Sequence, residues 1–262
     1  MIRALYTAAA GMQSQQMNLD VISNNLANLN TTGFKKMRPI FHDLLYENQT
    51  QAGGFTSQAT NYPSGLQQGT GANVVATEPV VTQGSLEQTG NSLDVAINGQ
   101  GYFQILQPSG QLAYTRDGSF QISAQGQVVT ALGNQVQPPI TIPKGAQSVT
   151  IGTDGTVSVT LQGQTQPSQV GLIQLANFIN PAGLQNLGNN LATQTEASGA
   201  AITGQPTQNG LGSIAQGYLE SSNVSVVDEM IDMIATQRAY ELNTEAAKGV
   251  DQMLNYLTQA TS

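Results

Sequence analysis

Apolar residues at spacings of three and four run along both ends of this chain, and no other feature constrains its fold as much. Near the N-terminus, Leu5, Ala8, Met12, Gln15, Leu19, Ile22, Leu26 and Leu29 fall in one row. Near the C-terminus, Ile231, Ala235, Ala239, Leu242, Ala246, Val250, Met253 and Leu257 form a second, widened by Val227, Met230, Ile234 and Tyr240. A 3.5-residue repeat is the seam of a left-handed coiled coil. The first row predicts a helix over residues 1–29, roughly 42 Å long. Gly11 inside it costs about 1 kcal/mol relative to Ala. The second predicts a helix from Val226 to Leu257. Ser225 and Asp228 open it as a capping box, and Asp228, Glu229 and Asp232 favour the positive end of its dipole. No third helical stripe lies between. The two rows are therefore expected to pair with each other or with copies from other chains.

The intervening sequence is β-type. Val74–Val75 and Val80–Val81 follow a Gly/Pro/Ser-rich stretch from Gly53 to Gly71. Residues 93–97 and 102–106 flank Asn98-Gly99, and residues 113–116 and 119–122 flank Asp117-Gly118, each predicting a hairpin. Residues 127–130, 148–151, 156–161 and 170–176 follow as further strands. Short strands without helical patterns between them argue a sandwich or barrel rather than βαβ units. The expectation is an α+β chain. Residues 1–30 and 224–262 are its core helices, 31–73 and 180–223 are connectors, and 74–179 is an inserted β-rich domain.

Composition removes most chemistry. The 262 residues include no Cys, which excludes disulfides, thiolate catalysis and Cys-ligated metals. One histidine, His42, leaves little for a His-based metal site. Only 9% of residues are charged, and the net charge of −8 opposes binding to nucleic acid or anionic lipid. No apolar run is long enough to span a bilayer as a helix. The N-terminal apolar stretch, broken by Thr7, is too short for a normal signal peptide. His42-Asp43 has no nucleophile elbow to serve. Gly99-Gln-Gly101 lacks the third glycine of a dinucleotide fingerprint, and Gly65 to Gly71 lacks the lysine of a phosphate loop. Asp154-Gly155 lacks the other ligands of a calcium loop. Asp94, Asp117 and Asp154 are the candidate acids for a hydrolase, and each also reads as an ordinary turn residue. Lys35, Lys36 and Arg38 make a small basic cluster. Neither catalytic residues nor a cofactor or metal is expected.

Three blocks then carry a resemblance. Ser23-Asn-Asn-Leu-Ala-Asn-Leu-Asn-Thr-Thr-Gly-Phe-Lys35 resembles the N-terminal signature of the bacterial flagellar rod and hook family. Leu93-Asp-Val-Ala-Ile-Asn-Gly-Gln-Gly-Tyr-Phe103 and Tyr114-Thr-Arg-Asp-Gly-Ser-Phe120 are similar to its central β domain. Gly217-Tyr-Leu-Glu-Ser-Ser-Asn223, Gln237-Arg-Ala-Tyr-Glu241 and Asp251-Gln-Met-Leu254 are similar to its C-terminal signature. Tyr62-Pro-Ser-Gly-Leu-Gln-Gln-Gly-Thr-Gly71 and Gln135-Val-Gln-Pro-Pro-Ile-Thr-Ile-Pro143 resemble the distal-rod branch of that family. Proximal-rod or hook-type axial subunits are the alternative.

The resemblance implies a non-enzymatic subunit of a helical homo-polymer, the drive shaft that crosses the periplasm. Its implied partners are other rod subunits, hook subunits at the distal end, the surrounding L- and P-ring proteins and the type III export apparatus, which delivers it without cleavage. The expected polymerisation seam is Leu5, Met12, Leu19, Ile22, Leu26, Leu29, Met230, Ile231, Ile234, Leu242, Val250, Met253 and Leu257. The signature positions are Asn24, Asn25, Ala27, Asn28, Thr31, Gly33, Phe34, Lys35, Gln237, Arg238 and Tyr240.

Overall fold

A computed structural model of the chain describes every residue except Met1, Gly54, Gln58, Ala59, Tyr62, Gln164, Thr165 and Ser262. Tyr62, at the head of the distal-rod-like stretch, thus lies outside the described residues. The chain divides into two compact units, residues 1–26, 37–78 and 225–262 in the first and 27–36 and 79–224 in the second.

The first unit contains the long helices α1 (Ile2–Ala27) and α2 (Val226–Thr261). Helix α1 stops at Ala27, so Leu29 lies beyond it, in a turn. Ser225 caps α2: its Oγ accepts the Asp228 N–H at 3.4 Å, and its carbonyl accepts the Glu229 N–H at 3.0 Å. Between the helices in sequence come β1 (Met37–Asp43), β2 (Tyr46–Thr50), β3 (Phe55–Ser57), β4 (Thr60–Asn61), β5 (Leu66–Gly69) and β6 (Ala72–Pro79). Strand β1 pairs with β6, β2 with β5 and β3 with β4. Residues expected as a loose connector therefore form a β ribbon. Polar residues such as Glu47, Asn48, Gln67 and Gln68 gave no alternation to reveal it.

The second unit holds β7 (Leu86–Gln88), β8 (Val95–Asn98), β9 (Tyr102–Leu106), β10 (Leu112–Thr115), β11 (Gln121–Ile122), β12 (Val128–Val129) and β13 (Gln135–Gln137). It continues with β14 (Ala146–Ile151), β15 (Thr156–Leu161), β16 (Ser168–Leu172), β17 (Leu175–Asn177), β18 (Gln185–Gly188), β19 (Leu191–Thr193), β20 (Ile202–Gly204), β21 (Ser213–Gln216) and β22 (Tyr218–Glu220). One sheet runs β11-β12-β13-β9-β10-β19-β18, with β17 and β20 attached, and a second runs β14-β15-β16. Phe103, Ile105, Val136 and Leu175 from the larger sheet, Ile214 from β21, and Val157 and Val159 from β15 join one buried cluster. Each such side chain contributes about 1.5–3 kcal/mol on burial. Residues 180–223, expected as a connector, supply β18 to β22 and so belong to this unit.

The two expected hairpins are not formed. Strand β8 buries Val95, Ala96 and Ile97 and pairs with β21, more than a hundred residues away, rather than with β9. Strand β10 pairs with β9, and β11 with β12. The tight turns fall instead at 107–111, 123–127, 130–134 and 152–156, where the first residue's N–H reaches the fifth residue's carbonyl in each case. Their fourth residues, Gly110, Gly126, Gly133 and Gly155, all have φ between 83° and 85°. That is the left-handed position of a three-residue hairpin loop. Asn-Gly and Asp-Gly are strong local signals, but here burial of β8 overrode them.

A buried ion cluster fastens residues 27–36 to the β strands. The Glu220 side chain is fully buried, with Lys35 Nζ 2.5 Å from Oε1 and Arg116 Nε 3.0 Å from Oε2. Gly84 N–H also donates to Oε1 at 3.0 Å. Arg116 donates to the carbonyls of Gly99 and Gly101, and Lys35 to that of Thr82. Gly33 N–H donates to the Glu220 carbonyl at 2.8 Å. Gly33 has φ 69°, and a Cβ there would sit 2.8 Å from the Arg116 carbonyl carbon, so both backbone and space require glycine. Burial pushes the Lys35 ammonium below its usual range, against the opposing pull of Glu220.

Removing the Glu220 carboxylate leaves both cations of the cluster uncompensated. Glu220→Gln is expected to cost about 3–5 kcal/mol, read as chemical denaturation of the β unit. Lys35 binds its proton more weakly in the fold than in the unfolded chain. Its contribution to stability therefore rises with pH between its lowered value and the ordinary 10.5. Stability measured relative to Lys35→Met should increase across that window.

Candidate assembly interface

Helices α1 and α2 run antiparallel and touch through polar side chains. Asn25 Nδ2 donates to Glu229 Oε2 at 3.1 Å, and Asn18 Nδ2 donates to Thr236 Oγ1 at 2.9 Å. A Cβ on Gly11 would lie 3.1 Å from the Asn243 side chain, so the glycine makes room for that amide. Thr244 Oγ1 donates to Met12 Sδ at 3.4 Å. Residues 11, 18 and 25 are seven apart, as are 229, 236 and 243. Asn25 is buried and does more: its Oδ1 accepts the Met37 N–H at 2.8 Å and its Nδ2 donates to the Met37 carbonyl at 2.9 Å. It fastens the first residue of β1 to α1 while engaging α2.

Other contacts hold α1 to the strands. Ser14 Oγ donates to the Ala72 carbonyl at 2.8 Å. Arg3 pairs with Glu47 at 2.7 Å and donates to Gln68, both on the β2–β5 ribbon. An ion pair as exposed as Arg3–Glu47 contributes about 0–1 kcal/mol.

The expected seam residues divide by helix. On α1, Ile22 is buried and Leu5, Met12, Leu19 and Leu26 are half-buried. On α2 only Val250 is buried. Met230, Ile231, Ile234, Leu242, Met253 and Leu257 are each at least half exposed, up to 67% for Leu242. The α2 positions that turn inward include Glu229, Met233, Thr236, Asn243, Ala247, Val250 and Leu254. Glu229, Thr236 and Asn243 had no place in an apolar row. Their own spacing of seven, matched by Gly11, Asn18 and Asn25, was the signal available.

The signature residues serve several purposes. Asn28 Oδ1 accepts the Thr31 hydroxyl at 3.1 Å, and Phe34 N–H donates to the Thr31 carbonyl, shaping the turn after α1. Gly33 and Lys35 belong to the Glu220 cluster. Asn24, Ala27 and Gln237 are exposed, Arg238 pairs with Glu241 on the surface, and Tyr240 is 38% exposed.

The candidate acids are engaged in turns. Asp94 accepts from Thr89 Oγ1 at 2.6 Å and from Asn91 Nδ2 at 2.9 Å. Asp117 Oδ1 accepts the Ser119 N–H. Asp154 accepts the hydroxyl and N–H of Thr156, which hold its carboxyl below the usual range. His42 is exposed on β1. Among the described residues no three His, Asp or Glu side chains are grouped to hold a metal, and no helix is long and apolar enough to cross a membrane.

Comparison with known proteins follows the same division of the chain. Residues 5–35 match the flagella basal body rod protein family, residues 96–159 the flagellar hook protein FlgE/F/G D1 domain, and residues 215–260 the flagellar basal body rod FlgEFG protein C-terminal family. The flagellar basal-body rod protein FlgG of Buchnera aphidicola subsp. Schizaphis graminum is 51% identical over 259 residues, covering 99% of this chain and all of that protein. That of Caulobacter vibrioides is 48% identical over 262 residues and the whole of both chains. That of Bacillus subtilis is 39% identical over 264 residues and 98% of each.

Asn25→Ala removes the partner of both Met37 backbone groups and a donor to Glu229. An unsatisfied buried polar group costs about 1–3 kcal/mol, so helical circular dichroism should be lost at lower denaturant while the β unit's transition stays in place.

Proposed function

The chain belongs to the flagellar basal-body rod family, and on that premise we propose that its two helices form the axial, coiled-coil-like core of a helical polymer, with the β unit as an outer, sandwich- or barrel-like domain. It is a structural subunit of the flagellar distal rod, located in the basal body, assembled with other flagellar components and not an enzyme.

The observation that carries the polymer reading is the exposed apolar row on α2. Met230, Ile231, Ile234, Leu242, Met253 and Leu257 face solvent in the single chain. An amphipathic helix is held chiefly by packing of its apolar face. Neighbouring copies that cover this row stabilise α2 by mass action, so its order belongs to the assembly. The partners of this reading are further copies of the chain, other rod subunits, hook subunits at the distal end and the encircling L- and P-ring proteins. Delivery is by the flagellar type III export apparatus, with the N-terminal helix retained. Few charges on the chain limit repulsion between identical packed surfaces.

Stiffness is assigned to residues 49–71. The β2–β5 pair is largely exposed, and a lone two-stranded hairpin is marginal in water. Laid against a neighbouring subunit it becomes a brace.

Leu242→Asp is expected to abolish polymerisation while leaving the monomer's melting transition unchanged. Sedimentation of an assembly reaction against wild type reads this out, and normal polymers would contradict the α2 assignment. Deleting residues 49–71 should leave polymers that bend more readily in electron micrographs. An assembled rod as stiff as before would remove the ribbon's role.

A further inference from the structure

Half-buried Leu5, Met12, Leu19 and Leu26 of α1 recur every seven residues, and so do Met233, Ala247 and Leu254 of α2, with Tyr240 at the remaining step, so sliding one helix along the other by seven residues returns apolar side chains to apolar surroundings. Hydrophobic pattern alone therefore leaves the register of this pair degenerate. The polar contacts do not repeat in the same way. One layer is an amide on a carboxylate, Asn25–Glu229. The next is an amide on a hydroxyl, Asn18–Thr236, and the third is an amide filling the space over a glycine, Gly11–Asn243.

We infer that these three chemically different layers, seven residues apart, are a register lock that admits one alignment of α1 on α2. A slip of seven in one direction sets Asn243 against Asn18 instead of against the glycine. It also carries Glu229 to the level of Thr32, past the end of α1 at Ala27. A slip in the other direction places Thr236 over Gly11 and leaves Asn25 facing residue 222, ahead of the start of α2 at Val226. Asn25 cannot follow either slip, because both ends of its amide are held by the Met37 backbone. Each layer left unmatched disfavours the slipped state roughly 5- to 150-fold. The lock is needed because α2 also carries a row of exposed apolar residues that could turn onto α1 out of register. A buried polar position that fixes register at a cost in stability is the best-attested use of such groups. This inference concerns pairing within one chain and does not depend on the polymer reading.

The chain has no cysteine, so introduced thiols report without background. Met12→Cys with Thr244→Cys marks the observed register. Met12→Cys with Gln237→Cys or with Asp251→Cys marks slips of seven to either side. A short bismaleimide added to the dilute full-length chain, with products read by mass spectrometry, should link only the first pair when the native seam is present. Replacing Asn18, Asn25, Glu229 and Thr236 together by Leu should bring slipped links up by at least about tenfold. Asn18→Leu with Thr236→Leu, which leaves Asn25 on Met37, is the second variant and should show an intermediate yield. The inference is overturned if the native seam already gives slipped links, if it fails to link the first pair, or if neither Leu variant gives slipped links.

Discussion

Helix α2 sets three polar side chains against α1 and leaves an apolar row exposed to solvent, and the behaviour of the first unit depends on that arrangement. Glu229, Thr236 and Asn243 contact the neighbouring helix, whereas Met230, Ile231, Ile234 and Leu242 are more than half exposed. In a self-contained domain the opposite arrangement stabilises the fold, since a helix gains most from burying its apolar face. Here the intrachain contact supplies geometry more than stability. The apolar row remains available to something outside the chain, and copies of the same chain are the occupant that the family assignment supports.

The second unit is organised on opposite terms. Its strands enclose a cluster of buried aliphatic and aromatic side chains, and beside it Lys35 and Arg116 share the buried Glu220 carboxylate. That ion cluster also explains why the stretch after α1 is chemically particular. Gly33 is required by a positive φ and by the closeness of Arg116, and Lys35 by the carboxylate it neutralises. The β unit thus has a buried core of its own, whereas helix α2 leaves an apolar row exposed.

Much of this was legible in the residues. Both helices follow from their apolar rows at spacings of three and four, the β character of the middle from its short strand-and-turn spacing, and the family from collinear signatures. Strand pairing was not legible. Asn98-Gly99 and Asp117-Gly118 are hairpin signals by local chemistry, yet β8 pairs with β21, a choice made by burial over a separation no local pattern records. The ribbon of residues 46–69 escaped because its strands are polar and exposed on both faces, which removes the alternation that marks a strand. The polar seam escaped for a related reason: a search for apolar periodicity passes over Asn, Thr and Glu, even when they repeat every seven residues.

The central claim is that α2 becomes fully ordered only when its outward apolar row is covered. Amide hydrogen exchange of residues 226–261, compared between the dilute monomer and the assembled polymer, tests it most directly. The account predicts rapid exchange along α2 in the monomer and strong protection in the polymer, with the β unit protected equally in both. Equal protection of α2 in a verified monomer would contradict it, and would make the helix pair a stable domain in its own right.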